Sequence, residues 1–122
     1  MANIAPIDIE LLPLDTKTVV GVTYTDSQDL LNYSEMGIMV NCENMSGITP
    51  TLDVVLEHSM NDADWDTLHT FAQFTAVGKK TLYIPNGTEF GFLRYVRAKC
   101  TVGGTTPVIT FEIHIVGRNR AA

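Results

Sequence analysis

The residues that come nearest to a chemical site are Asp62, Asp64 and Asp66, with Asn61 beside them. Hard oxygen ligands at alternate positions can wrap Ca²⁺. The EF-hand pattern fails here, because Thr67 stands in place of its glycine and Gln73 in place of its terminal glutamate. A solvated turn leading into Trp65 accounts for the same residues without a metal. His58, His69 and His114 are separated by long, unequal gaps, whereas zinc ligands pair at short spacing. Cys42 and Cys100 supply no such pair either, so no metal or cofactor is expected.

Nucleophilic catalysis would need a Ser or Cys beside a base and an orienting acid. Both cysteines sit at apolar strand positions, and no G-x-S-x-G elbow is present. Paired carboxylates for glycoside hydrolysis are set by spatial separation, and Glu57 and Glu112, both mid-strand, are the candidates; the alternative is that they decorate a solvent or subunit face. Gly103 and Gly104 do not lie between a strand and a helix, so they are no phosphate loop. No catalytic residue is expected, and the chain reads as a non-enzyme. Trp65, Tyr83, Phe90, Phe92 and Tyr95 could form an aromatic platform for sugar, or serve as core and interface residues.

With no chemistry to position, the elements themselves carry the reading. The chain has 122 residues, the size of one domain, and its 45% hydrophobic and 18% charged residues fit a globular fold. Eight basic residues against 14 acids, a net charge of -6, speak against nucleic acid. Arg94, Arg97 and Lys99 read as one solvated face. No apolar run approaches a membrane span. The first residues lack the basic and long apolar regions of a signal peptide, so a cytoplasmic site of synthesis and assembly is expected. In such a compartment Cys42 and Cys100 are expected to be small core residues, with a disulfide between them as the alternative.

Period-2 alternation recurs at turn spacings along the chain. It marks strands in TVVGVTYT, EMGIMVNCE, TLDVVLEHS, TFAQFTAV, KTLYIP, FLRYVRAKCTV and VITFEIHIV. NMSGITP reads as a turn, VGGTTP as the turn of a long hairpin, and DSQDLLNYS as a loop or one helical turn. No internal repeat is apparent. The sum is an all-β domain, a jelly-roll or related Greek-key β-sandwich. Residues 1–17, with Pro6 and Pro13, read as an extended N-terminal arm, with a short edge strand in it as the alternative, residues 18–117 as the sandwich, and residues 118–122 as a polar tail. Trp65 is expected to cap one end of the core.

The order L-D-V-x-L-x-H-S, an acidic turn ending in Asp64-Trp65, then L-R-Y-V-R-A and T-V-G-G-T-T-P resembles capsid decoration, or cement, proteins of tailed phages. The matching residues are Leu52 to Val54, Leu56, Ser59, Trp65, Leu93 to Ala98 and Gly103 to Pro107. Asn61-Asp62 stands where that family has Asp-Gly. The resemblance covers roughly the last 70 residues. It implies a virion structural protein on the outer capsid surface, with the major capsid protein as its partner. The same S-x-x-D-x-x-W and R-Y-V-R arrangement is similar to galactose-binding-like sandwich domains, which implies carbohydrate, on a host surface for instance. A tail or fibre component is the third possibility.

Apolar residues on both faces of several strands predict a homotrimer. The arm offers Ile4, Pro6, Ile7, Ile9, Leu11 and Leu12 as the clasp on a capsid subunit or sister chain.

Overall fold

The computed structural model describes residues 7–84 and 91–118. Seven strands follow one another: β1 (Ile7–Lys17), β2 (Gly21–Tyr24), β3 (Gln28–Asp29), β4 (Glu35–Ser59), β5 (Asp66–Thr70), β6 (Gly78–Ile84) and β7 (Tyr95–Arg118). No helix occurs among the described residues. The segment around Ser27 carries β3 and a turn rather than a helical turn. In TFAQFTAV only the first residue lies in a strand; Phe74 then forms a single bridge to Leu52.

β4 and β7 are the frame. They run antiparallel along their whole length, from Glu35 opposite Arg118 to Ser59 opposite Tyr95. Each is bent once, at the point where the sequence pattern suggested a turn. Gly47 and Thr49 have φ of 115° and 47°, and Gly104 and Thr106 have φ of 104° and 48°. The pairing slips at the same place, between Ser46 and Thr51. The two bends are built from one motif used twice, Gly47-Ile48-Thr49-Pro50 and Gly104-Thr105-Thr106-Pro107.

They also lock each other. A Cβ on Gly47 would lie 2.6 Å from the Thr106 carbonyl oxygen, and one on Gly104 would lie 2.7 Å from that of Thr49. Only glycine permits both the left-handed backbone and this approach. The hairpin expected at Gly103-Gly104 is therefore a corner inside one strand, as is the expected turn at NMSGITP.

The corners fold one hydrogen-bonded sheet over into two layers. Layer I holds β1, residues 108–118 of β7, residues 35–46 of β4, and β6, in that order. Layer II holds β2 and β3, residues 95–103 of β7, residues 51–59 of β4, and β5. The chain visits the layers in the order I, II, I, II, II, I, II, I, which is the winding of a jelly roll.

The alternation now has its cause. Met36, Ile38, Val40 and Cys42 face inward in layer I, with Ile109, Phe111, Ile113 and Ile115. Leu52, Val54 and Leu56 face inward in layer II, with Val96, Ala98, Cys100 and Val102. All belong to one buried cluster. Cys42 and Cys100 are free and buried, and burial pushes the Cys100 thiol up to about 12. A thiol held protonated in this way is inert and packs as a small apolar residue.

The expected domain boundary at residue 17 does not hold. β1 pairs with β7 from Ile7 opposite Gly117 to Lys17 opposite Ile109. Leu11 is 5% exposed and belongs to the core cluster, and Ile9 and Leu12 pack against it. Residues 7–17 are an edge strand of the sandwich, which agrees with the edge-strand alternative and not with a free arm. The physical reason lies in the bulges between Glu10 and Asp15, which accommodate Pro13 without breaking the ladder. Ile4 and Pro6 lie outside the described residues, as do Phe90 and residues 119–122 of the expected tail.

Candidate interaction surface

Two surfaces remain once the core is accounted for: the outer faces of the two layers. Residues opposite one another across an antiparallel pair share a face, so the register lists each face row by row.

On layer II the rows are Val22, Thr101 and Asp53; then Tyr24, Lys99 and Val55; then Arg97, Glu57 and Thr67. Arg97 is the centre of this face. Its guanidinium lies 4.3 Å from the centre of the Tyr24 ring and 4.2 Å from that of the Trp65 ring. Its Nε donates to a Glu57 carboxylate oxygen at 2.9 Å. The side chains of Arg97 and Glu57 are 23% and 14% exposed, so this is a half-buried cluster and not a solvated row. Each cation–ring contact is worth about 0.5–2 kcal/mol, depending on how far water is excluded. The ion pair adds about 0–1 kcal/mol at this exposure. Arg94 pairs instead with Asp29, through two bonds of 3.1 and 2.8 Å that hold the Asp29 carboxyl below its ordinary range.

Trp65 therefore does not cap the core. It is half-buried on the outer face, and the turn before it explains how it gets there. Asn61 Oδ1 accepts from the backbone N–H groups of Ala63 and Asp64 at 3.0 and 2.8 Å, and Asn61 Nδ2 donates to Asp64 at 2.8 Å. This Asx turn is fixed to the strand end, where the buried Ser59 hydroxyl donates to Asn61 at 3.0 Å. Asp62, at the position where a glycine was expected, has φ of 61°. The departure from Asp-Gly thus keeps the left-handed backbone and changes only the residue that adopts it. Asp62, Asp64 and Asp66 are exposed, and no metal-binding group of His, Cys, Asp and Glu is gathered among the described residues.

His58 is tied to the same end of the molecule. Its Nδ1 accepts from the Leu93 backbone N–H at 3.1 Å, and burial lowers its pKa, partly offset by Asp66. That bond requires a neutral imidazole with the proton on Nε2.

On layer I the rows are Asp8, Val116, Gly37 and Tyr83; then Glu10, His114, Met39 and Thr81; then Glu112, Asn41 and Lys79. Gly37 leaves a notch, since a Cβ there would meet nothing within 4 Å. An open cleft of about 380 Å³ lies over it, lined by Asp8, Met39, Thr81, His114 and Val116 among others. Its floor is mostly apolar, with Asp8, Thr81 and His114 as its polar members and a polar pair beside it. Asn41 Nδ2 donates to Glu112 at 3.2 Å, and His114 lies 3.5 Å from Glu112 and 3.7 Å from Asp8.

The two faces decide several sequence expectations. Glu57 and Glu112 lie on opposite sides of the sandwich, so they cannot flank one glycosidic bond. The aromatic platform does not assemble. Trp65 and Tyr95 are on layer II, Tyr83 is on layer I with its hydroxyl donating to Glu35 at 3.0 Å, and Phe92 packs on the core. Of the clasp residues, Leu11 is in the protein's own core, Ile9 and Leu12 line it, and Ile7 begins β1.

What the sequence reading missed is the Tyr24–Arg97–Trp65 stack. Its signals were separate: Trp65 closes the acidic turn, and Tyr24 and Arg97 stand within alternating strand patterns. Which rings meet the guanidinium depends on pairing between residues some 70 positions apart.

No protein family matches this sequence, and no curated protein matches it. Solved structures do. The chain is similar to the PBSX exported protein XepA, with a TM-score of 0.65 and 16% identity over 95% of this chain and 38% of that one. It is similar to dimeric latent PorU from Porphyromonas gingivalis, with a TM-score of 0.50 and 11% identity over 93% of this chain and 12% of that one. A CBM36-1 domain of a multidomain xylanase from the hindgut metagenome of Trinervitermes trinervoides aligns over 96% of this chain and 100% of its own, at 7% identity and a TM-score of 0.48. The chain spans little more than a third of XepA's length. At these identities the likeness is one of fold, and the fold is a β-sandwich.

Proposed function

We infer that this chain is a non-enzymatic structural protein of a phage particle, a decoration protein bound to the outer surface of the capsid. One observation carries the reading. Two sequence-distant parts of the decoration-protein pattern, the tryptophan after the acidic turn and the second arginine of R-Y-V-R, meet in space. Trp65 and Arg97 touch at 4.2 Å and form a rigid patch with Tyr24. Tryptophan, tyrosine and arginine are the residues that dominate protein–protein contacts, and here they are held in place before any partner arrives. The fold-level likeness to a PBSX exported protein agrees with a phage origin.

The mechanism is mass action. A protein that binds the assembled shell better than the loosened one stabilises the assembled state. Several copies on neighbouring capsid subunits would strengthen modest single contacts. The test is co-sedimentation of the purified chain with empty capsids, followed by heating of bare and decorated shells. Binding that raises the shell's disruption temperature, and is lost in Arg97→Ala, supports the reading. An unaltered shell, or binding indifferent to Arg97, contradicts it.

A second reading, a carbohydrate-binding module, is favoured by the cleft over Gly37. Its apolar floor and convergent polar groups suit a sugar ring better than a phosphate. A Cβ at Gly37 meets nothing within 4 Å, so Gly37→Leu places a side chain in that cleft and separates the two readings: it should abolish glycan binding and leave capsid binding intact.

A further inference from the structure

Five outer strands bound the described sheet, and four of them are blunted; β3 has two residues, one of them Asp29. β1 is bulged twice and carries Pro13, Asp8, Glu10, Asp15 and Lys17. β6 opens with Lys79 and Lys80. β5 has five residues, starts at Asp66 and slips register against β4. Charges, proline, bulges and brevity are the means by which sheets avoid pairing with other chains.

β2 is short, but it has none of the other devices. From Thr18 to Thr25 there is no charge and no proline. Val22 and Tyr24 of β2 are 48% and 52% exposed, and Val19 and Val20, just before it, are 78% and 55% exposed. An open groove of about 310 Å³ runs along residues 16–23.

The backbone of β2 is equally open. The Thr25 N–H donates to the Ala98 carbonyl at 2.9 Å, which sets the phase of the ladder. Antiparallel pairs alternate between hydrogen-bonded and non-hydrogen-bonded. Thr23 opposite Cys100 and Gly21 opposite Val102 are therefore the bonded pairs. Val22 and Tyr24 turn their N–H and C=O groups away from β7, toward a side where no described strand lies.

We propose that this edge pairs with the same edge of a second copy, antiparallel about a two-fold axis, so that layer II of one copy continues into layer II of the other. An uncharged apolar edge with free main-chain groups is recognised by another strand of the same kind. Among the described edges the only one of that kind is β2 itself. Edge pairing between copies is then isologous, and an isologous contact closes as a dimer. Val22 and Tyr24 of the two copies come together on one face, a β-branched and aromatic pairing that stabilises antiparallel strands. A ring of three built by strand pairing would need β2 to join a different edge, and each of the other described edges is blunted. The inference stands apart from the capsid reading, since a dimer can form whether or not a shell is its partner.

The experiment is light scattering on the 122-residue chain across a dilution series, with three variants. Val22→Pro removes an N–H that the β7 ladder does not use, as proline may at a sheet edge. Val20→Lys places a charge beside the edge, and keeps the test decisive should Val22→Pro lose its fold. Thr23→Pro removes an N–H that the ladder does use, and should damage the fold where Val22→Pro does not. The wild type should move from one chain mass to two as concentration rises, and both Val22→Pro and Val20→Lys should stay at one, with unchanged circular dichroism. A wild type that remains monomeric throughout, a trimer, or a dimer that survives in folded Val22→Pro and Val20→Lys would overturn the proposal.

Discussion

β1 and β2 lie along the same strand, β7, one against each half of it, yet they do opposite things with their apolar residues. β1 spends Ile9, Leu11 and Leu12 on the protein's own core and shows the solvent its charges. β2 buries nothing: each of its four residues is exposed, and Val22 and Tyr24 face outward. A strand's composition therefore does not say which way it points its apolar side. In β1 Leu11 follows Ile9 inward and the bulge beside it sets Leu12 opposite the inward Ile113, whereas β2 places its alternation on the outer side, where Tyr24 stacks on Arg97.

The largest effect that follows is on stability. Leu11→Ala should cost about 2–5 kcal/mol, the range of a leucine cut out of a packed core. Val22→Ala should change stability by less than about 0.5 kcal/mol, as an exposed site does. Urea denaturation of both, at a concentration where the chain is monomeric, sharpens the contrast; equal losses would break it.

The next effect concerns Trp65. As an outer-face wall of the Arg97 stack it should cost about 1–2 kcal/mol when replaced by alanine, in line with a cation–ring contact and some lost burial. A core tryptophan would cost about 3–5 kcal/mol. Denaturation of Trp65→Ala alongside Arg97→Ala, and of the double variant, decides this, because residues in one stack couple and the two losses should not add.

The acid response is smaller and comes from His58. Burial holds its folded pKa below the ordinary 6.5, so below that pH the unfolded chain binds more protons than the folded one. Stability should fall as the pH drops through 6.5 and level off below the folded pKa, and the part due to His58 should vanish in His58→Gln. Melting temperatures between pH 8 and pH 5 read this out. A His58→Gln profile that matches the wild type would remove His58 from the account.

The smallest effect lies in the Asx turn. Asp62→Gly should gain about 0.5 kcal/mol, since glycine adopts the left-handed backbone without strain. A loss would mean that the Asp62 carboxylate makes a contact of its own.

Much of the fold was legible because burial leaves a period of two. The inward positions of β4 and β7, and the two cysteines among them, can be read from alternation alone. The corners could not. A glycine pair followed by Thr-Thr-Pro looks locally like a hairpin turn. What makes it a corner is a second G-x-T-P segment lying against it, some 57 positions earlier in the chain. The arm failed for the same kind of reason: Pro13 suggested an unpaired segment, and a bulge opposite β7 absorbed it. The candidate surface was legible only in pieces. Trp65 and Arg97 both stood out in the sequence, but their contact, and the part of Tyr24, depends on register between distant strands.

Amide hydrogen exchange at low and high protein concentration tests the contrast between the two edges most directly. The amides of β1 that bond to β7 should be protected at both concentrations, because they belong to the fold. The amides of Val22 and Tyr24 should exchange freely in the dilute sample and become protected in the concentrated one, while Thr23 stays protected in both. If Val22 and Tyr24 exchange at the same rate at every concentration, or if β1 exchanges as fast as they do, the account of these two edges is wrong.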